Sequence, residues 1–323
     1  MRCMWRLVFG LALGLAAVGP AVADDYPSHS VRIIVPFGAG GPADIYARYV
    51  GEKLQEALGQ PFVVEARPGA GSFIGTSEVA KSAPDGYTLL MMSNTHTVNE
   101  TLRPNRPFDL MRDFVGIAPV NYSDLIMVVH PSVPAKNLKD FLALVKAKPG
   151  DLNYASSGLG TPYHMAAELF KAMTGTSIVH VPHKASGDAR TAVLGGHVQM
   201  MLDAISTSAS NVQAGKLVAL GTTGKVRSDL LPNVPTIAEA GVPGYEATIW
   251  LGLMAPKGTP KAVVDKLNAE VNKVLDKPET KAIWAKQGAI PLKMTPAEFD
   301  GYLRADIAKW AGVIKKAGIK PIK

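Results

Sequence analysis

The sequence contains a single cysteine, Cys3, among 323 residues. It lies in a segment with the three-part pattern of a secretory signal, with basic residues at Arg2 and Arg6, an apolar run over residues 7–18 and an Ala-Val-Ala ending at Ala23. The run is shorter than the ~20 residues that span a bilayer. We therefore expect export to the periplasm with cleavage after Ala23, which leaves a chain without a disulfide bond or a thiol nucleophile.

Long apolar runs and clusters of one charge are absent from the rest of the sequence. No segment after residue 23 is long and apolar enough to cross a membrane. Removing 23 of the 323 residues leaves 300, with 32 basic and 27 acidic side chains and a formal net charge of +5 that is spread along the chain. Nucleic-acid-binding proteins concentrate basic residues in a stripe, so we expect no nucleic-acid partner and a mild attraction for small anions.

Familiar catalytic patterns are also missing. The chain has no Gly-x-Ser-x-Gly segment and no serine three residues before a lysine. His180 and His183 are three apart on a predicted strand, so they point to opposite faces and do not share a metal ion. Residues 38–43 fit the dinucleotide-binding pattern Gly-x-Gly-x-x-Ala, but an exported chain has no expected supply of such cofactors. We expect no cofactor and no metal; a dinucleotide site and a secreted serine hydrolase are the less favoured alternatives.

The sequence does contain a regular alternation of strand-like and helix-like stretches. One series occupies residues 31–93 and a second occupies residues 137–223, which predicts parallel βαβ units and an α/β fold. Long extended stretches at residues 114–132 and 245–256 lie before and after the second series. No internal repeat is evident. We predict two lobes joined by two crossing strands, with a ligand cleft between the lobes.

Three loops combine glycine with the start of a predicted helix, at residues 38–41, 69–72 and 157–161. The first N–H groups of a helix are unpaired and carry partial positive charge, and glycine lets an anion approach them closely. Pro42 and Pro162 fall at or near the first helical position, and Asp44 is placed to cap the first turn. Tight turns between packed elements explain any single loop equally well. A loop in each lobe, facing one cleft, favours an anion held from both sides.

Several segments resemble the extracytoplasmic substrate-binding proteins of the tripartite tricarboxylate transporter group, often called the Bug family. The resemblance rests on "VRIIVPFGAGGPADIYAR", "ARPGAGSFIGTSEVAKSAPDGYTLLMMS", "NYASSGLGTPYHMAAELF" and "VPHKASGDARTAVLGGHVQMMLD", whose order and spacing match over nearly the whole chain after residue 23. It implies a two-lobed periplasmic-binding-protein fold, type II-like with two crossover hinge strands. Residues 24–122 and 246–323 would form one lobe, and residues 123–245 the other.

The resemblance also implies a function. A monomer without enzymatic activity would enclose a small carboxylate and deliver it to the small and large subunits of a membrane permease. Relatives hold the carboxylate between the loop after the first strand and the glycine-serine loop of the second lobe, partly through ordered water. With polar residues at other strand ends added, the predicted ligand-binding residues are Phe37, Gly38, Ala39, Gly40, Gly41, Ala43, Asp44, Ser93, Thr95, His96, Ser156, Ser157, Gly158, Gly160, Thr161, His164, Lys184 and Asp203.

The chain departs from the family pattern at two places. Relatives often carry threonine where this chain has Ala43, and their Pro-Tyr-Lys-Gly segment is here residues 182–185, Pro-His-Lys-Ala. Both departures border the cleft, so we expect the far end of the ligand to differ from that of common relatives. A dicarboxylate, a tricarboxylate, an acidic amino acid and an aromatic acid all remain compatible, as does a sensor domain that signals through a kinase partner.

A Ser157→Ala substitution separates a receptor from a serine hydrolase. In a receptor we expect only part of the ligand affinity to be lost, because backbone amides supply most of the contacts. A hydrolase that used this serine as its nucleophile would lose turnover outright. Calorimetry with a bound carboxylate, combined with an ester-hydrolysis assay, measures both quantities. Ester hydrolysis that disappears in the variant would contradict the receptor interpretation.

Overall fold

The computed structural model describes residues 26–316 and 318–322, so the predicted signal segment lies outside the described residues. The strands are β1 Val31–Val35, β2 Phe62–Ala66, β3 Thr88–Ser93, β4 Phe114–Val129, β5 Asn153–Ser156, β6 Val179–Pro182, β7 Met200–Ala204, β8 Val218–Thr222, β9 Thr248–Pro256 and β10 Ala289–Pro291. The helices are α1 Pro42–Leu58, α2 Phe73–Ala80, α3 Asn94–Leu102, α4 Leu110–Asp113, α5 Leu138–Ala147, α6 Pro162–Thr174, α7 Ser186–Leu194, α8 Ile205–Gln213, α9 Lys261–Asp276, α10 Pro278–Ala285 and α11 Pro296–Lys316. Within these residues, no helix is long and apolar enough to cross a bilayer.

The strands lie in the order β2-β1-β3-β9-β4-β7-β5-β6, with β8 and β10 also paired to β4. Strands β1, β2 and β3 are parallel, and so are β5, β6 and β7. The long strand β4 is antiparallel to β9 over residues 114–124 and antiparallel to β7 and β8 over residues 125–129. It therefore belongs to two parallel-stranded units at once. We call the unit built on β1, β2, β3, β9 and β10 the first lobe, and the unit built on β5, β6, β7 and β8 the second lobe.

Each lobe has its own hydrophobic core. The core of the second lobe draws only on residues 125–249, and the two core clusters of the first lobe draw on residues 26–120 and 250–303. The second change of core falls inside β9, between Ile249 and Trp250. Central strands are apolar on both faces because helices cover both sides of each unit, and all five residues of β7 are buried.

The C-terminal helix α11 joins the two lobes away from these cores. Its residues Trp310 and Ile314 pack in one buried cluster with Val98 and Leu102 of α3 and with Met165 of α6. Helix α3 belongs to the first lobe and α6 to the second. An apolar contact on α11 therefore spans the boundary between the lobes.

Helices α3 and α8 were not predicted by the periodicity of the sequence. Both are rich in serine, threonine and asparagine, which have low helix propensity and compete for backbone hydrogen bonds. Helix α3 forms nonetheless because Ser93 accepts a hydrogen bond from the Thr95 N–H, while the His96 ring accepts one from the Ser93 N–H. The polar residues expected in a loop after β3 thus form the first turn of a helix.

Candidate functional site

A cavity of about 510 Å³ lies between the two lobes. Its wall comes from the loops that follow β1, β2 and β3 in the first lobe, from the loops that follow β5 and β6 in the second, and from β9. Parallel strands end at a common sheet edge, so each lobe turns a set of strand-to-helix loops toward the same space. The cleft predicted between two lobes is therefore present.

Helix N-termini dominate this wall. Helices α1, α2, α3, α6 and α7 all begin at the cavity. Of these five helices, only α3 has a side-chain hydrogen bond that caps its first turn in the described part of the chain; α1, α2, α6 and α7 have none. Unpaired N–H groups at the start of a helix carry partial positive charge, so four uncapped ends from two lobes favour an anion between them.

The side chains of the second lobe on the wall agree with this polarity. Lys184 and His183 line the cavity from the second lobe. Over the ranges that the structure describes, no aspartate or glutamate lines it. The cavity therefore offers donors and positive charge, without an acidic partner for a cation.

The glycine loop of the first lobe is fixed by Asp44. The Gly40 N–H donates to Asp44 Oδ2 at 3.0 Å, and Arg48 forms a salt bridge with Asp44, with Nη2 3.0 Å from Oδ1. Gly40 has a φ of 74°, which glycine adopts without strain. Asp44 is buried and does not line the cavity. The carboxylate shapes the loop from behind, so the Gly40 N–H is already paired.

The corresponding loop of the second lobe is fixed by histidine in the same way. The Gly160 N–H, four residues before His164, donates to its Nδ1 at 3.2 Å. Behind it, Ser156 Oγ lies 2.6 Å from His180 Nε2 and accepts from the Gly158 N–H at 3.1 Å. Burial lowers the pKa of His164 to about 4 and that of His180 to about 3. Both rings are therefore neutral near pH 7, which leaves His164 Nδ1 able to accept.

His96 connects two cavity-facing loops of the first lobe. The Thr76 hydroxyl has one proton, which it donates to the Ser72 carbonyl at 2.8 Å. His96 Nε2 lies 2.9 Å from Thr76 Oγ1, and Nδ1 lies 3.3 Å from the Ser93 N and 3.1 Å from the Ser93 carbonyl oxygen. Burial lowers the pKa of His96 to about 4, so the ring is neutral near pH 7 and links the two loops by hydrogen bonds.

The eighteen predicted ligand-binding residues divide into two groups. Ten line the cavity: Phe37, Gly38, Gly41, Ala43, Ser93, Thr95, Ser157, Gly158, Thr161 and Lys184. The other eight lie behind or beside it: Ala39, Gly40, Asp44, His96, Ser156, Gly160, His164 and Asp203. Several of these eight support a lining residue through hydrogen bonds. Ligand binding by any of the eighteen stays a prediction.

Asp203 does not line the cavity, because it is the centre of a buried ionic contact in the second lobe. Its Oδ2 accepts from Arg190 Nε at 2.6 Å and from Ser208 Oγ at 2.6 Å, and the residue is fully buried. These bonds tie β7 to α7 and α8. A charged residue near the end of a strand had suggested a ligand contact, but Arg190 of α7 already forms an ion pair with it.

Some lining residues were not among the predicted ones. The loop of residues 68–72 contributes to the wall, as do Tyr163, Ser186, Ile249 and Leu251. Ile249 and Leu251 are two apart on β9 and so face the same side of the sheet. The sequence does not reveal whether an apolar residue of a strand lines a cavity or packs in the hydrophobic core. The glycine-rich loop at residues 69–72 did carry a signal, which was the helix start that follows it.

The sequence of residues 46–319 matches the family described as the tripartite tricarboxylate transporter family receptor. The chain belongs to this family. The resemblance found in the sequence is thereby confirmed. Protein BugT of Bordetella pertussis is 38% identical to the receptor over 322 residues, which cover 98% of this chain and 99% of BugT.

Solved structures agree with the family. The R. palustris protein Rpa4515, solved with adipate, gives a TM-score of 0.89 at 34% identity and covers 92% of the receptor and 100% of its own chain. MatC from Rhodopseudomonas palustris, solved with bound malate, gives 0.85 at 30% identity and covers 90% and 100%. The two-lobed periplasmic-binding-protein fold is confirmed, and these relatives are substrate-binding receptors and not enzymes.

Acid is expected to destabilise the receptor through His96. A histidine whose pKa falls from its usual value near 6.5 to about 4 on folding binds its proton more readily in the unfolded chain. Its contribution to stability is therefore complete above pH 6.5 and is lost as the pH falls toward 4. The loss in the free energy of unfolding is roughly 3 kcal/mol. Denaturant unfolding of the parent and of His96→Gln between pH 7 and pH 4 measures it, because glutamine can both donate and accept but does not titrate.

The exposed residue His197 supplies the control, as His197→Gln. We expect the control to keep the full pH dependence of the parent and His96→Gln to lose part of it, with His164 and His180 supplying the remainder. Equal slopes for all three proteins would refute the role assigned to His96.

Proposed function

We propose that the protein is an extracytoplasmic receptor that encloses a small carboxylate between its lobes and delivers it to a tripartite tricarboxylate-type membrane transporter. The observation that carries this proposal is the convergence of four helix N-termini, two from each lobe, on one cavity; within the described residues, these helix starts have no side-chain cap and the cavity wall has no acidic side chain. The carboxylates present in the similar structures, adipate and malate, support it. The first carboxylate would lie between the first turn of α1 and the Ser157–Thr161 loop.

The proposed mode of capture is closure of one lobe on the other. An ideal Cβ on Gly38 would lie 2.5 Å from the Cβ of Ala185, and one on Gly41 would lie 3.1 Å from Ser186 Oγ. One on Gly160 would lie 2.7 Å from Asn99 Oδ1. Each pair joins a glycine loop of one lobe to the other lobe. A ligand that contacts both loops stabilises this arrangement over one in which the lobes are apart.

The lobes themselves are proposed as residues 24–122 with 246–323, and residues 123–245. The separation of the buried cores supports this division, with Ala247 and Ile249 packing in the second core beyond the second boundary. We further propose a periplasmic monomer, exported with cleavage after Ala23, whose partners are the small and large permease subunits. The N-terminal sequence pattern and the family support this location.

A screen of carboxylic acids against their own amides tests the charge requirement. Each amide keeps the shape of its acid but lacks the negative charge, so we expect acids to raise the melting temperature and the matched amides to leave it unchanged. A ligand present at 100 times its Kd would add about 2.7 kcal/mol of stability. Thermal-shift measurements on the chain after residue 23 provide the readout. Equal stabilisation by an acid and its amide would refute the proposal. A broad library in which no acid raises the melting temperature would refute it as well.

Closure across Gly38 and Ala185 gives a test with a built-in rescue. A Gly38→Ala substitution places two methyl groups 2.5 Å apart, and such overpacking is unfavourable by about 1–3 kcal/mol. We expect the affinity for the best acid of the screen to fall by roughly tenfold to a hundredfold. The double variant Gly38→Ala with Ala185→Gly removes the clash and should restore affinity.

The control for this pair is Gly187→Ala in α7, where an added Cβ has no atom within 4 Å. We expect the control to bind like the parent in isothermal titration calorimetry. A Gly38→Ala variant that binds at full strength, or a double variant that gains nothing, would show that the ligand is bound without this contact.

A further inference from the structure

Two hydroxyl groups on the cavity wall have no hydrogen-bond partner in the part of the chain that the structure describes. Ser72 and Thr95 both line the cavity, with 3% and 0% of their surface exposed. Among the described residues, neither hydroxyl oxygen has a hydrogen-bond partner. A buried hydroxyl is unfavourable without a hydrogen bond, so such a group usually has a partner that arrives with ligand or water. Both side chains are therefore placed to contact a molecule in the cavity.

The turn that carries Ser72 is held in a conformation that its sequence does not favour. Ala70, Gly71 and Ser72 have φ angles of 49°, 66° and 84°, in the left-handed region that alanine and serine rarely adopt. Asn99 Nδ2 donates to the Gly71 carbonyl at 3.1 Å, and Thr76 Oγ1 donates to the Ser72 carbonyl at 2.8 Å. Backbone strain that neighbours hold in place is concentrated at functional sites. Here it keeps Ser72 on the wall.

The two hydroxyls belong to neighbouring helix starts. Thr76 in α2 contacts the ring of His96 in α3 at 2.9 Å, so the first turns of these helices are linked beside Thr95. Ser93 caps α3 by accepting from the Thr95 N–H at 3.2 Å, which leaves the Thr95 hydroxyl without a capping role. Helix α2 has no side-chain cap in the described structure, and its N-cap residue is Ser72. Two hydroxyls without a partner in the described structure therefore lie beside a helix start that has no side-chain cap.

We propose that Ser72, Thr95 and the first turn of α2 form a second anion subsite, which binds the second carboxylate of a dicarboxylic acid. This inference rests on the proposed function, in which the loops of both lobes hold the first carboxylate. Hydroxyl groups donate to carboxylate oxygens, and the uncapped helix start adds partial positive charge. Lys184 also lies on the wall, but it is exposed, so solvent screens its attraction.

The rest of the wall restricts what can lie between the two carboxylates. Phe37, Pro162, Ile249 and Leu251 present apolar surface to the cavity. An ammonium group on the ligand would find no aspartate or glutamate on the wall formed by the described residues. A hydroxyl or carboxylate group placed against these four side chains would lose its hydration without gaining a hydrogen bond from them. The ligand class is therefore a dicarboxylic acid with a plain hydrocarbon spine and no amino group.

Matched acid series test this subsite by isothermal titration calorimetry on the chain after residue 23. One series is the linear dicarboxylates from succinate to suberate, and the other is the monocarboxylates of the same lengths, with 2-aminoadipate added. We expect the best dicarboxylate to bind at least tenfold more tightly than its monocarboxylate. We expect 2-aminoadipate to bind at least tenfold more weakly than adipate.

Two variants assign the gain to the hydroxyls. Thr95→Val keeps the shape of the side chain without its hydroxyl, and Thr95→Ser keeps the hydroxyl as the matched control. We expect Thr95→Val to weaken the best dicarboxylate about tenfold and to leave its monocarboxylate unchanged, while Thr95→Ser binds like the parent. Ser72→Ala is an independent second variant with the same expectation, and it decides the matter if Thr95→Val does not fold.

Three results would overturn the subsite. They are equal affinity for mono- and dicarboxylates, equal weakening of both series by each variant, and no weakening of either. Failure of the proposed function looks different, because then no acid of either series binds at all. Tight binding of 2-aminoadipate would contradict the hydrocarbon spine alone.

Discussion

Free helix N-termini that face one cavity are the constraint on which the rest of this structure depends. The parallel strands of each lobe end at a common edge, and the helices that follow them must begin there. Four of those helices lack a side-chain cap in the described residues, so their first amides need another partner. The composition of the loops follows from this need, because glycine opens the approach to the amides and proline at the first helical position lacks an amide to satisfy.

The two lobes solve the same local problem with different chemistry. In each, a glycine with a positive φ donates to a side chain four residues later, after a proline at the helix start: Gly40 to Asp44, and Gly160 to His164. Asp44 is an anion paired with Arg48, whereas His164 is a neutral acceptor because burial lowers its pKa. The shared pattern is only Gly-x-Pro-x-acceptor, too short to be recognised as a repeat without the structure.

Much of the fold could be predicted from the sequence because most elements show clear periodicity and clear ends. The start of α1 at Pro42 and of α6 at Pro162 followed from proline and glycine alone. Helix α8 was not predicted, since three of its nine residues are serines, which have low helix propensity, and a hydrogen bond from Ser208 to Asp203 at the end of β7 helps to hold it. At the site, strand-end polarity located Thr95 correctly on the wall but also suggested Asp203, because one sequence does not reveal that Arg190 already pairs with it.

Helix α11 contacts both lobes, so the C-terminal part of the chain influences how the two lobes are arranged. Trp310 and Ile314 share a buried seam with α3 of one lobe and with Met165 of the other. If the second lobe moves away from the first, either this apolar cluster becomes exposed to water or α11 separates from α3. With the proposed closure, apolar packing therefore biases the balance between open and closed forms, and substitutions in this cluster can adjust that balance because none of its five buried residues lines the cavity.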